Sequence, residues 1–120
     1  MEERPFKMRV WDPEYQEMHI LKGNVREVFL RLGSILESVG NAVPSRCTEY
    51  KDKDENYIYE GDIVKIHGWD GERTVRYFPI LAGWGLETES KSWADPLETY
   101  DMEELKIVGN IYQRRKERGE

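Results

Sequence analysis

The sequence Tyr57-Ile-Tyr-Glu-Gly-Asp-Ile-Val-Lys-Ile-His67 joins a tight turn to the start of a β-strand. Gly61-Asp62 is typical of such a turn, because glycine adopts left-handed backbone angles without steric cost. β-branched residues that suit a half-buried strand follow at once: Ile63, Val64 and Ile66. We therefore predict a central strand here, with the rest of the fold arranged around it. The stretch indicates a structural element, and it contains no pattern typical of a catalytic site.

The length and composition of the chain indicate one small folded domain. Only 38% of the 120 residues are hydrophobic and 35% are charged, a balance that is compatible with disorder. However, four Trp, seven Tyr and three Phe residues supply the large apolar surfaces that disordered segments usually lack. We predict a single domain over residues 1–112, followed by a charged, disordered tail over residues 113–120.

The sequence contains no segment that is long and apolar enough to cross a membrane. Its first residues, Met1-Glu-Glu-Arg-Pro, are charged and lack the apolar core of a secretory signal. The lone Cys47 has no partner for an internal disulfide, which fits a reducing compartment. We therefore expect a cytoplasmic protein.

Cys47, the histidines and the acidic residues form no recognisable catalytic or metal-binding motif. No catalytic signature surrounds Cys47, so we predict a half-buried, small hydrophobic residue, and we predict an exposed strand position for His19. The acidic run over residues 51–56 lacks the glycine and the distant glutamate of a calcium-binding loop, which favours a solvated turn. Gly83-Trp-Gly85 is not followed by a helix that could bind a dinucleotide phosphate. We expect no cofactor and no metal.

Charge is unevenly distributed along the chain, whose net charge is −6. Residues 49–62 contain six acids and two bases, and residues 87–104 contain seven acids and one base. From Leu105 onward, five bases face two acids. Because phosphate neutralisation supplies most non-specific affinity for DNA, this acidic balance argues against extensive duplex binding.

The first part of the chain reads as a β-hairpin followed by a helix. Residues 6–11 and 16–21 are the predicted strands, and the first strand should bury one face and expose Lys7 and Arg9. A three- to four-residue spacing of apolar side chains then predicts a helix over residues 25–39. Asn24 is its expected N-cap and Gly40-Asn41 its left-handed exit. Close packing against a sheet would explain Gly33 in its middle.

The remaining segments read mainly as short antiparallel strands. We predict strands over residues 45–50, 73–78 and 105–112, a bend or bulge over residues 81–86 and an irregular strand over residues 88–95. Asp101 should cap a single helical turn that ends at Glu104.

Three segments together resemble the YopX family of small bacteriophage and prophage proteins. They are Arg4-Pro-Phe-Lys-Met-Arg-Val-Trp-Asp12, Lys51-Asp-Lys-Asp-Glu-Asn-Tyr-Ile-Tyr-Glu-Gly-Asp-Ile-Val64 and Ile107-Val-Gly-Asn-Ile-Tyr112. The resemblance implies a mainly β fold, a small, partly open pseudo-barrel of antiparallel strands capped by one α-helix. It also implies a location in the bacterial host cytoplasm and no established catalytic residues. One departure is Thr48-Glu49-Tyr50, where the resemblance leads us to expect Thr-Gly-Leu.

The leading functional hypothesis is a non-enzymatic protein-interaction module. Its candidate partner-binding surface consists of aromatic residues that exceed the needs of one small core: Trp69, Tyr77, Trp84 and Trp93. The expected partner is an unidentified host or phage protein, and a homo-oligomer is a further option.

Two alternatives belong to other functional classes. The first is a single-stranded nucleic-acid-binding barrel that uses aromatic stacking together with Arg73, Arg76 and the basic tail. The second is a hydrolase that uses two of four carboxylates: Glu60, Asp62, Asp70 and Asp95. The acidic field weakens the first alternative, and nothing in the sequence fixes the carboxylate separations that the second needs.

Overall fold

The computed structural model describes residues 5–87 and 94–113. Its β-strands and α-helix, in chain order, are β1 (Phe6–Asp12), β2 (Glu17–Gly23), α1 (Val25–Ser38), β3 (Val43–Lys51), β4 (Tyr57–Tyr59), β5 (Asp62–Ile66), β6 (Arg73–Phe78), β7 (Gly83–Glu87), β8 (Ala94–Pro96) and β9 (Leu105–Asn110). The strand pairings are antiparallel. The strands form two unclosed sheets, which confirms the prediction of a mainly β, partly open fold of antiparallel strands with an α-helix.

The chain divides into two compact units, Met1–Cys47 and Thr48–Glu120, and the boundary falls inside β3. The prediction of a single domain over residues 1–112 stays a prediction. The predicted disordered tail, apart from Gln113, lies outside the described residues. Among the residues that are described, no helix has the length and hydrophobicity needed to cross a membrane.

In the first unit, β1 lies between β2 and the beginning of β3. The predicted turn between β1 and β2 is present, and the Asp12 carboxylate closes it by accepting hydrogen bonds from the backbone N–H groups of Glu14 and Tyr15. The core of this unit contains Met8, Val10, Leu21, Val28 and Leu32.

The predicted exposure of Lys7 and Arg9 is wrong, because each residue is only 6% exposed. Both residues belong to a strand that is paired along both edges. The Lys7 ammonium remains hydrogen-bonded, since Nζ donates to the Pro5 carbonyl at 3.3 Å. Long basic side chains can bury their aliphatic stems in this way while the charged end finds a polar partner.

The helix predicted over residues 25–39 is present as α1 and ends one residue earlier, at Ser38. The Asn24 side chain accepts a hydrogen bond from Glu27 N–H, as expected of an N-cap, whereas the left-handed residue after the helix is Asn41, at φ 64°. A Cβ atom at Gly33 would have no neighbour within 4 Å, so close packing does not explain this glycine. The predicted apolar stripe is only partly buried: Val28 and Leu32 are buried, whereas Val25, Phe29 and Leu36 are exposed.

In the second unit, five strands form an open sheet in the order β8-β7-β6-β5-β9. Strand β5 lies inside this sheet and buries Ile63, Val64 and Ile66, which confirms the predicted central strand. Gly61 has φ +90°, and the Asp62 carboxylate accepts a hydrogen bond from Tyr59 N–H at 2.8 Å. The buried core contains Ile58, Val64, Ile66, Val75, Leu86, Leu97 and Leu105.

Of two polar segments predicted in this unit, one is confirmed and the other is not. Asp101 and Glu104 form the capping box of a short helical turn over Met102–Glu104, as expected. The run over residues 51–56 is not a simple solvated turn, because Asp52 is buried within it. The last strand ends at Asn110, whose side-chain oxygen accepts hydrogen bonds from the N–H groups of Tyr112 and Gln113 and so turns the chain.

Candidate aromatic binding groove

The second unit contains a surface groove with a volume of about 420 Å³. Its lining comes from β3, from β6 and β7 with their connection, and from the end of β8 with the segment after it. The lining residues are Thr48, Tyr50, Tyr77, Leu81, Ala82, Gly83, Trp84, Pro96 and Glu98. Its volume lies within the usual range for small-molecule sites, which is about 300–1,000 Å³.

Two of the aromatic residues predicted from the sequence meet in this groove. Tyr77 on β6 is directly opposite Trp84 on β7, a register that places both side chains on the same face of the sheet. Their ring centroids are 5.4 Å apart and their planes are inclined at 82°. This edge-to-face arrangement is favourable for aromatic pairs, and it gives the groove two aromatic walls that meet nearly at right angles.

The connection between β6 and β7 sets the shape of the groove. Pro79–Leu81 forms one short helical turn, and Ala82 reverses the chain with a left-handed φ of 50°. Close packing then requires glycine at position 85, because a Cβ atom there would lie 2.9 Å from Phe78 Cδ2 and 3.0 Å from the Asp95 carbonyl oxygen. Within the bend or bulge predicted over residues 81–86, Gly85 therefore allows β7 to pass close to Phe78 and Asp95.

Tyr50 contributes a third aromatic ring to the groove. It is 39% exposed, close to the 38% of Tyr77, whereas Trp84 is partly buried and packs against the core. The neighbouring Thr48 hydroxyl donates to the Ile58 carbonyl at 2.7 Å and accepts from Tyr50 N–H at 3.1 Å. This hydroxyl therefore holds the end of β3 in place.

Glu98 is the only charged side chain among the described residues that line the groove. The arginines of β6 are engaged in ion pairs: Arg73 Nη1 donates to Asp95 Oδ2 at 3.0 Å, and Arg76 Nε donates to Glu87 Oε2 at 2.9 Å. The described lining of the groove is therefore aromatic and weakly acidic.

Asp95 also accepts a hydrogen bond from the Tyr100 hydroxyl, at 3.1 Å. Burial raises the pKa of Tyr100 above its ordinary value of 10.0, and the hydrogen bond and the negative charge of Asp95 raise it further. The tyrosine therefore stays protonated and works with Arg73 to fix the carboxylate.

The structure separates the other two predicted aromatic residues from this pair. Trp69 lines a different depression, of about 230 Å³, together with Lys53, Lys65, Ile66, His67, Glu103, Glu104 and Lys106. The Arg73 guanidinium lies 5.5 Å from the centre of the Trp69 ring. Trp93 lies outside the described residues.

The hydrolase hypothesis named four carboxylates, and the structure gives two of them other roles. Asp62 caps the Tyr59 N–H and Asp95 binds Arg73 and Tyr100, so both carboxylates hold structural hydrogen bonds. No group of three or more potential metal ligands occurs within residues 5–87 and 94–113. Cys47 is half-buried, as predicted.

Comparison with protein families adds a direct assignment. The model of the YopX protein family matches residues 35–116, which is more than half of the chain. The chain belongs to the YopX family. The YopX match includes the central and closing motifs and the whole groove, whereas the opening motif over residues 4–12 precedes it. A comparison with curated proteins gives no match.

The departure from the expected YopX pattern at Glu49 has a structural counterpart. Glu49 has φ 68°, a left-handed conformation that glycine adopts most easily. The next residue is Tyr50, which lines the groove. This geometry explains why a glycine would be expected at that position.

Sequence reasoning did not identify Tyr50, Leu81 or Glu98 as groove residues. Tyr50 has the pattern of an ordinary strand residue, and apart from Thr48 its neighbours in the groove come from segments more than 25 positions away. The detectable signal was the pair of aromatic residues on the adjacent strands β6 and β7.

Proposed function

We propose that this YopX-family chain is a non-enzymatic protein-interaction module whose contact surface is the aromatic groove. It would be encoded by a phage or prophage and act in the cytoplasm of the bacterial host. The observation that supports this proposal most is the Tyr77–Trp84 pair, which lines an open groove on the β6–β7 face. Aromatic residues of this kind are enriched among the side chains that dominate protein–protein binding energy.

Tyr50 and Tyr77 are suited to a contact surface because each ring is partly exposed and carries a polar hydroxyl. The groove also has a rigid base, since Trp84 packs against the core and Gly85 allows no larger residue without a shift of its neighbours. A rigid aromatic site loses little side-chain entropy when a partner binds. These features favour binding of a partner protein.

Nucleic-acid binding by this unit is less well supported. Arg73 and Arg76, the two arginines that could contact phosphate beside the aromatic residues, are already paired with Asp95 and Glu87. A phosphate would have to displace these carboxylates in a protein whose net charge is −6.

The proposal can be tested by affinity purification of the tagged protein from phage-infected host cells, with and without nuclease treatment. Wild type would be compared with Tyr77→Ala and Tyr50→Ala. Tyr15→Ala is the matched control, because Tyr15 is a more exposed tyrosine, at 68%, that lies outside the groove.

We expect one host or phage protein to be recovered with wild type and Tyr15→Ala and to be depleted with both groove variants. Denaturation midpoints would verify that all four proteins are folded. Equal recovery with all variants would reject the groove as the contact surface. Recovery that disappears after nuclease treatment would instead support a nucleic-acid partner.

A further inference from the structure

We infer that the groove receives a positively charged side chain, an arginine on an exposed segment of the partner protein. This inference rests on the proposed function and specifies the chemistry of the partner. It starts from the charge of the lining: Glu98 is exposed, and the described residues of the groove include no lysine, arginine or histidine.

Aromatic rings make the groove attractive to a cation. The faces of tryptophan and tyrosine rings carry negative electrostatic potential, and a cation within about 6 Å of a ring centre is stabilised by it. Tyr77 and Trp84 supply two such rings with planes inclined at 82°, and Tyr50 supplies a third. A cation placed among them could contact an aromatic face and the Glu98 carboxylate.

The charge of the surrounding sequence also favours a cation in the groove. Glu98 belongs to the stretch of residues 87–104, in which seven acids face one base. Arg76, the residue before Tyr77 on β6, is paired with Glu87 at 2.9 Å. Long-range attraction by this acidic field would raise the encounter rate with a basic segment and would disfavour an acidic one.

Arginine fits this arrangement better than lysine does. Its guanidinium is planar, stacks on aromatic rings and can donate two parallel hydrogen bonds to one carboxylate. Lysine carries a compact and strongly hydrated charge, which loses more hydration when it enters an aromatic site.

The test uses two short peptides, acetyl-Gly-Arg-Gly-amide and its citrulline analogue, which replaces the guanidinium with a neutral group of nearly the same shape. Binding would be followed by NMR through the indole N–H signals of the full chain, which contains four tryptophans. The Trp84→Phe variant would identify the signal of Trp84.

We expect the arginine peptide to shift the Trp84 signal in a saturable manner and the citrulline peptide to bind several-fold more weakly. Glu98→Gln should weaken arginine binding about two- to fivefold, as for a solvent-exposed ion pair. Glu103→Gln is the control, since Glu103 is an exposed acid of the same unit that lines the other depression. It should leave the affinity unchanged.

Equal affinity for arginine and citrulline would overturn the inference while leaving the groove as a binding surface. Absence of any Trp84 shift with either peptide would also overturn it. The proposed function would then be judged separately, by whether recovery of a partner still depends on Tyr77 and Tyr50.

Discussion

Two turns of the second unit flank the segment from β4 to β5, and both are rich in polar residues. Residues 52–56 connect β3 to β4, and residues 67–72 connect β5 to β6. In the first turn, Asp52 is 1% exposed, and its carboxylate accepts hydrogen bonds from the N–H groups of Asp54, Asn56 and Ile107, each at 3.0 Å. The first turn is thus held by a buried side chain that also bonds to β9.

The second turn is held by its backbone. Trp69 N–H donates to the Ile66 carbonyl at 3.0 Å, and Gly68 and Gly71 have φ values of +82° and +87°. Its side chains point outward, with Trp69 at 56% exposure and Asp70 exposed. The turn also bonds to a distant segment, since His67 N–H donates to the Glu104 carbonyl at 2.8 Å. Polar composition alone therefore does not reveal whether a buried carboxylate or the backbone holds a turn.

The largest effect is expected for Asp52→Ala. This change removes the acceptor shared by three part-buried hydrogen bonds, and each hydrogen bond to a charged group contributes about 1.5–3 kcal/mol, so the free energy of unfolding should fall by about 3–4 kcal/mol. The measurement is chemical denaturation.

Asp54→Ala is the control for Asp52→Ala, because Asp54 lies in the same turn and its side chain forms an exposed ion pair with Lys106, at 3.2 Å. It should cost at most about 1 kcal/mol. Similar losses in the two variants would mean that the buried carboxylate does not anchor the turn.

The second prediction concerns Ile66, which ends β5 and precedes the second turn. This side chain is buried in the core of the unit, so Ile66→Ala should lower the free energy of unfolding by about 2–4 kcal/mol. Ile80→Ala removes the same atoms from a residue that is 92% exposed and should be nearly neutral. If denaturation midpoints did not separate the two variants, β5 would not be the stabilising strand that the structure indicates.

The sequence predicted the parts of this fold that depend on local patterns. Arg73–Phe78 was predicted with its observed bounds, and β5 and α1 followed from β-branched residues, apolar spacing and an N-cap. Burial of Lys7 and Arg9 depends instead on which strands pair with β1, and burial of Asp52 depends on the contact of its turn with β9; a local pattern contains neither. The sequence named two aromatic residues of the groove, Tyr77 and Trp84, but did not predict the groove itself, because Tyr50 and Glu98 come from distant segments.

A smaller loss of stability is expected when a hydrogen bond to Asp95 is removed. Asp95 binds the side chains of Arg73 and Tyr100, whereas Asp52 binds backbone N–H groups. Tyr100→Phe removes its 3.1 Å hydrogen bond and should cost about 1 kcal/mol at neutral pH. Because burial and Asp95 raise the pKa of Tyr100 in the folded state, this stabilisation is complete below pH 10.0 and is lost as the pH rises through the folded value.

The difference in stability between wild type and Tyr100→Phe should therefore shrink on going from neutral pH to about pH 11. Denaturation curves at both pH values would measure this change. A difference that stayed constant or grew at high pH would contradict the assigned role of the tyrosine.

The smallest predicted effect concerns the strand that enters the first turn. Glu49 has a left-handed φ of 68°, which costs an L-residue about 1–2 kcal/mol, whereas glycine adopts it freely. Glycine also gains freedom in the unfolded chain, which offsets about 0.4–1 kcal/mol of that benefit. Glu49→Gly should therefore be more stable than Glu49→Ala by about 0.5–1 kcal/mol, and the pair is matched because both variants lack the glutamate side chain. Equal denaturation midpoints, or a more stable alanine variant, would show that the backbone at Glu49 is not strained and that the glycine expected from the YopX pattern has another cause.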